Sequence, residues 1–175
     1  SKSFEQCYNC QAAVDDKDQV IVAAGVTQDA NDKQQVEPMT DQMHDNIGQD
    51  PQQLSADAGY FSEQNVVHLS DRQIDGYIAT KRRKHSEDPG PAPRGRIPKD
   101  ATIKERMERK LRTKAGRAAY DKRKQTVEPV FGQIKEARGF RRFLLRGLEA
   151  VRAEWRLVCL GHNLLKLYRS GLQTA

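Results

Sequence analysis

Long apolar runs are missing from this sequence. No stretch reaches the roughly 18 consecutive apolar residues that a membrane-spanning helix needs, which excludes that class of segment. The start, "SKSFEQCYNC", has no basic stretch followed by an apolar one, so it does not read as a signal peptide. It also lacks Met and begins close to strand-like sequence, which suggests a piece cut from a longer protein. Cysteine is scarce. Three cysteines, Cys7, Cys10 and Cys159, exclude a disulfide framework and fit a reducing compartment. Cys7 and Cys10 form a CxxC, but zinc needs a second ligand pair, and His44 and His68 stand alone. On a strand the two thiols would also point to opposite faces.

Acids are scarce in the second half. Residues 1–80 carry 4 basic and 14 acidic side chains, residues 81–124 carry 17 and 6, and residues 125–175 carry 9 and 4. The net charge of +6 therefore hides an acidic lobe beside a strongly basic one. The basic half predicts an anionic polymer as partner, most simply nucleic acid. The plainer reading is a solvated charged surface with a cationic loop.

The 175 residues are enough for one domain with a real core. "CQAAVDDKDQVIVAAGVT" reads as a hairpin with a polar turn at residues 15–18. Val36, Met39, Met43 and Ile47 have helical spacing, with Asn31 or Asp32 as cap and Gly48 as stop. A short strand then leads to Asp57. Gly59 allows a sharp turn, Ser62 caps the next helix, and "GYIATK" forms a further strand. The order β-β-α-β-α-β predicts an α/β fold over residues 1–80. Residues 81–100 hold four prolines and two glycines amid charges and read as a mobile basic insertion. Residues 101–175 read as helical. Ile103, Met107 and Leu111 lie four apart, Gly116 interrupts, and a second helix covers 118–136 with Pro129 starting or kinking it. "GLEAVRAEWRLVCLGHNLLKLYR" reads as a core helix. Both its Val151, Trp155, Val158, Leu165 set and its Leu157, Leu160, Leu164, Leu167 set count toward one broad apolar face.

Within "YDKRKQTVEPVFGQIK" a lone acid, Glu128, stands among Tyr120, Lys122, Arg123, Lys124, Phe131 and Lys135. On one continuous helix Lys124 lies about 40° and Lys135 about 20° from Glu128. Bases beside a carboxylate suit phosphate together with a hard cation, which prefers oxygen donors. The competing reading is an ordinary i, i+4 ion pair with Lys124, worth ~0.3–0.5 kcal/mol. Asp57 sits at a strand's C-terminal end, where ligand sites of open α/β sheets gather. An acid closing a turn before glycine is its plainer reading. Asp32 could help such a site, but its plainer reading is a helix cap; Trp155 reads as core, and His162 and Asn163 as polar groups satisfied within the last helix.

"CYNCQAAVD", "VIVAAGVT", "SADAGYFSEQNV", "TVEPVFGQIK", "GFRRFLLRGL" and "EWRLVCLGHNLLKL" together resemble the C-terminal catalytic part of bacterial insertion-sequence DDE transposases. The resemblance implies an RNase H-like fold: a mixed sheet with flanking helices, a basic insertion and a helical C-terminal part. It implies Mg²⁺-dependent strand cleavage and transfer of DNA, with Mn²⁺ as a substitute. Asp57 matches the second acid and Glu128 the third, both as metal ligands, and their carboxylates are expected within roughly 10 Å of each other. Tyr120, Arg123, Glu128 and Lys135 match the related Tyr-x2-Arg-x3-Glu-x6-Lys signature, which implies DNA contact near the cleaved end by Tyr120 and Lys135. Four residues rather than three separate Arg123 from Glu128, and helix spacing puts Lys124 rather than Arg123 on the Glu128 face, so either base is open for the DNA-binding role. Lys81, Arg82, Arg83 and Lys84 are expected on DNA phosphates, with Arg94, Arg96 and Lys99. The first acid belongs to a strand before "YNCQAAVD", and that segment is not in this sequence. The alternative is therefore a truncated, inactive remnant that only binds DNA. Element ends and target DNA are the expected partners, with a homodimer in the transposition complex, neither membrane nor small-molecule substrate, and a cytoplasmic, nucleoid-associated location.

Overall fold

The computed structural model describes residues 7–82 and 90–173. Strands β1 (Asn9–Val14) and β2 (Ile21–Thr27) form an antiparallel hairpin. Asp15 organises its turn by accepting the backbone N–H groups of Lys17 and Asp18 at 3.1 and 2.8 Å, while Gln19 takes a left-handed φ of 57°. The hairpin is covered on both sides. Helix α1 (Val36–Ile47) is fastened to β2 where Gln42 accepts the Ala24 N–H and Asn46 donates to the Val22 carbonyl. Against it also packs α5 (Leu148–Gln173), which buries Val151, Trp155 and Cys159 with Ile21 and Val26.

Helix α1 does not start where the sequence suggested. Its N-cap is Gln35, without a side-chain cap bond, and Asp32 is turned away toward β1. Pro38 is the third helical residue, where no intrahelical N–H is lost. Gly48, at φ 80°, ends the helix through a bond to the His44 carbonyl.

Strand β3 (Gln53–Ala56) pairs in parallel with β4 (Asp75–Ile78), and α2 (Glu63–Asp71) connects them. Ser62 caps α2 by accepting from Asn65 N at 3.1 Å. Ala56, Leu69, Ile74 and Ile78 close a second small core with Val36 of α1. Among the described residues the sheet structure is thus two separate pairs, β1–β2 and β3–β4, rather than the single mixed sheet expected. Among the described residues no strand lies between β1 and β3, so each keeps one unpaired edge.

Residues 90–100 form no regular element, and arginines from the helices hold them. Arg117 donates to the Gly90 carbonyl, Arg109 to those of Arg94 and Gly95, and Arg106 to that of Lys99. Helix α3 (Ile103–Arg112) opens on a capping box between Thr102 and Glu105. It ends at Thr113, which also begins α4 (Lys114–Gly132). The Thr113 hydroxyl donates to the Lys110 carbonyl at 2.7 Å and accepts from Gly116 N at 3.0 Å. The break expected at Gly116 therefore falls three residues earlier, and α4 starts before residue 118. Pro129 lies inside α4, and the winding widens to a π-turn at Gln133–Ala137. The 100° spacing that placed Lys135 beside Glu128 does not run through that wider turn.

Helix α5 splits the apolar set that the sequence joined. Val151, Trp155 and Cys159 are buried, whereas Leu157, Leu160, Leu164 and Leu167 face solvent. His162 is fully buried, its Nε2 2.9 Å from the Gln19 carbonyl. Asn163 clamps both the N–H and the carbonyl of Ile21. Both residues thus bind the hairpin rather than their own helix. Among the described residues no helix is long and apolar enough to cross a membrane.

Candidate active site

Asp57 follows the last residue of β3 and caps a single 3₁₀ turn, Ala58–Tyr60. Its Oδ1 accepts the Gly59 N–H at 2.8 Å, which fixes the carboxylate at the strand's end. Asp32 approaches from the loop after β2. A methyl group on Gly59 would lie 2.7 Å from Asp32 Oδ2 and 3.1 Å from Asp57 Oδ1, so both acids rest against the same bare Cα. Here a glycine is required by close approach rather than by an unusual φ.

Asp32 is held by two amides of β1. Asn9 Nδ2 donates to its Oδ1, as does Gln11 Nε2 at 2.8 Å. Gln11 is almost wholly buried and in turn accepts the Tyr60 hydroxyl. Burial pushes the Tyr60 phenol well above its ordinary range; the negative charges of Asp32 and Asp57 add to this, and Arg123 opposes it. A continuous network therefore ties β1 to the turn that carries Asp57.

Asn9, Asp32, Asp57 and Tyr60 line a cavity of about 280 Å³ between the free edges of β1 and β3, with Gln11 buried behind it. Asn9, Cys10, Ala12 and Ala13 form one wall, and Leu54 to Asp57 the other. Val36, Met39 and Met43 of α1 contribute on one side and Arg123, Val127 and Phe131 of α4 on the other. A smaller space of about 120 Å³, lined by Val14, Gln53, Ser55 and Lys122 among others, lies between the same two strands. The larger cavity of about 600 Å³, between α2, β4 and α3, holds one acid, Asp75, already paired with Lys110.

Arg123, not Lys124, lines the acid-bearing cavity, and its guanidinium lies 5.2 Å from the Tyr120 ring centroid. Glu128 is exposed on α4, directly after the cavity-lining Val127, and no described residue pairs with its carboxylate. Lys135 is exposed, 5.7 Å from the Phe131 ring centroid. Lys122 is paired with Asp16. Lys81 and Arg82 are exposed just beyond β4, whereas Arg83 and Lys84 lie outside the described residues. Of the CxxC, Cys7 is exposed and Cys10 packs in the core that contains Cys159. Burial pushes Cys10 up to about 11, so it remains a thiol at neutral pH.

A family model described as the transposase DDE domain matches residues 1–164. The chain belongs to the DDE transposase family. Searches of curated proteins and of solved structures give no match. A DDE transposase takes its name from acids that hold divalent ions, and hard oxygen donors of the kind that Asp32 and Asp57 offer suit such ions. The described residues nevertheless do not complete such a centre. No group of three or more His, Cys, Asp or Glu side chains among them could hold a metal. Asp32 spends one oxygen on two amides, and Glu128 is not among the cavity-lining residues.

The acid-bearing cavity and the network beside it thus contain residues that the sequence did not single out, Asn9, Gln11 and Tyr60, and draw in Asp32, which is not a helix cap. Asn9 and Gln11 are two apart on β1, hence on one face. A polar pair on one face of an otherwise apolar strand was the available signal.

Proposed function

We propose that this chain is most of the catalytic domain of an insertion-sequence DDE transposase, RNase H-like in plan, which cleaves DNA at element ends and transfers the freed strand. The observation that carries the reading is Asp57: a carboxylate at the C-terminal end of a parallel strand, opening into a cavity beside Asp32 and Arg123, inside the family-matched region. Asp57 and Glu128 serve as the second and third acids, with Mg²⁺ or Mn²⁺ as the ion. Tyr120, Arg123, Lys124 and Lys135 hold DNA near the cleaved end. Lys81 to Lys84 add phosphate contacts that raise affinity without reading sequence. The first acid belongs on a strand between β1 and β3, and the two unpaired edges with their intervening cavity support that location. Two copies act together at paired element ends, in the cytoplasm beside the nucleoid.

A second reading is favoured by one observation: no described group of three acids converges. In it the chain is a remnant that binds DNA and does not cut it. A nicking assay on labelled element-end DNA, in Mg²⁺ and in Mn²⁺, separates the two. This chain is compared with a longer one that includes the upstream gene sequence, each with and without Glu128→Gln. Nicking by the longer chain, lost in Glu128→Gln, supports the transposase. Salt-sensitive binding with no nicking by either supports the remnant.

A further inference from the structure

Between the π-turn and α5 the chain runs RGFRRFLLRG, residues 138–147, with four arginines and no acid. This loop has no regular structure, yet it is firmly held. Phe143 meets Tyr8 and Phe140 edge to face, with ring centroids 6.0 and 5.4 Å away. The Tyr8 hydroxyl accepts the Gly147 N–H at 3.1 Å. Glu154 of α5 accepts the N–H of Leu144 at 2.9 Å and that of Leu145 at 3.0 Å. An ionised acceptor makes such bonds strong.

The part held this way is apolar and faces water. Leu144 is 76% exposed and Leu145 47%. Leucines beside an aromatic cluster would ordinarily pack onto it, because burial removes apolar surface from water. Here Glu154 fixes the backbone that carries them, and they stay outside. Arg141 is paired with Glu136, whereas Arg142 and Arg146 are exposed and meet no carboxylate among the described residues. Two outward leucines between two unpaired arginines complement a surface that is anionic outside and apolar between its layers. Duplex DNA is such a surface, with phosphates outside and stacked bases within. The loop also adjoins the acid-bearing cavity. Tyr8 is next to Asn9, which lines that cavity and binds Asp32, and the cavity-lining Phe131 packs on the same core as Phe140 and Phe143.

We propose that Leu144 and Leu145 form a wedge that enters the minor groove of duplex DNA and parts two stacked base pairs, while Arg142 and Arg146 hold the flanking phosphates. This rests on the reading above that the chain acts on DNA, and adds what the protein does to the duplex's shape. Parting a step is costly, so steps that open easily, such as TA, are favoured, and the duplex kinks toward its major groove. Arginines alone would grip phosphates and leave the stack intact.

Energy transfer between dyes at the two ends of a duplex of about 30 base pairs with a central TA step tests it. Binding of this chain should raise the transfer, because a kink of roughly 20–90° brings the ends together. Leu144→Ala/Leu145→Ala should still bind, with the salt dependence of wild type, but leave the transfer near that of free duplex. Arg142→Ala/Arg146→Ala should lower the slope of log affinity against log salt by about two. Val67→Ala, at an exposed apolar residue of α2, should bend the duplex as wild type does. A second duplex carries a T·T mismatch at the central step, where the stack is already loosened. Wild type should bind it about tenfold more tightly than the paired duplex, and the double-leucine variant should bind both equally. A wild type that binds without bending, a wild type indifferent to the mismatch, or a leucine variant that bends DNA as wild type does overturns the wedge and leaves the DNA reading standing. Absence of salt-sensitive binding to either duplex overturns both.

Discussion

Asp32 shows what a residue's sequence neighbourhood conceals. Four positions ahead of α1 it looks like a helix cap, because short polar acids favour that place. Its partners are Asn9 and Gln11, 23 and 21 residues away, and no local pattern exposes a bond of that range. Asp57 was easier to read, since strand, acid and glycine follow each other directly. Asp32→Ala removes the acceptor of both amides, one of them on the nearly fully buried Gln11. Stranding buried donors costs ~1–3 kcal/mol, so urea unfolding should show a loss of that size. Asp32→Asn keeps one oxygen that can take the Oδ1 place and accept both amides, so it should recover most of that loss. His162 gives a residue-scale dependence on pH. Burial lowers its pKa from the ordinary 6.5, and Arg138 and Lys166 add to the shift, while the bond to Gln19 opposes it. Below about pH 6.5 the unfolded chain gains a proton that the folded one resists. The stabilisation from this residue is full above that pH and is lost as pH falls through the lower folded value. Melting temperature should drop between about pH 7 and pH 5, and His162→Gln should flatten part of that slope.

The corner between α3 and α4 shows the same limit for whole elements. Helical spacing was legible, since Met107 and Leu111 are buried as their four-residue interval implies. Glycine is a poor helix former, so Gly116 is where the sequence suggests a break. The chain instead stops at Thr113, where one side chain can finish a helix and begin the next. Gly116 has a different duty: an added Cβ would sit 2.0 Å from the Lys110 carbonyl oxygen and 3.0 Å from Leu111 Cα. Both contacts are backbone, so neither can rotate away. Gly116→Ala should therefore open the corner and destabilise the chain by about 1–3 kcal/mol, more than the gain in helix propensity returns. Because α4 carries Arg123 and Val127 into the cavity, the longer chain should lose nicking activity with it. A variant that unfolds like wild type would mean that the corner tolerates the methyl. Helix α5 carried a related ambiguity. Its two apolar stripes are equally good by spacing, and only the hairpin's position decides which is covered.

At the scale of the whole molecule, the charge asymmetry and the α/β order could be read directly, whereas the sheet could not. Strand signals specify that a segment is extended, not which neighbour it pairs with. β1 pairs with β2 through a short turn, and β3 with β4 across α2, so each pair is locally determined. What joins the pairs is helix α4, which packs against β1, β3 and β4, and the Asn9–Gln11–Asp32–Tyr60 network. Two unpaired edges facing one cavity are a costly arrangement, because such edges are templates for another strand. Amide hydrogen exchange can test whether they are free. In this chain, peptides covering residues 9–14 and 53–56 should protect only the amides aimed at β2 and β4, about half of them. In the longer chain with upstream sequence, a strand seated between the two edges would protect nearly all. The melting temperature would rise with it, since the inserted strand buries apolar side chains against Val36, Met39, Val127 and Phe131. Full protection of both edges in the shorter chain would instead mean that residues already present complete the sheet, and the first acid would have to be sought elsewhere.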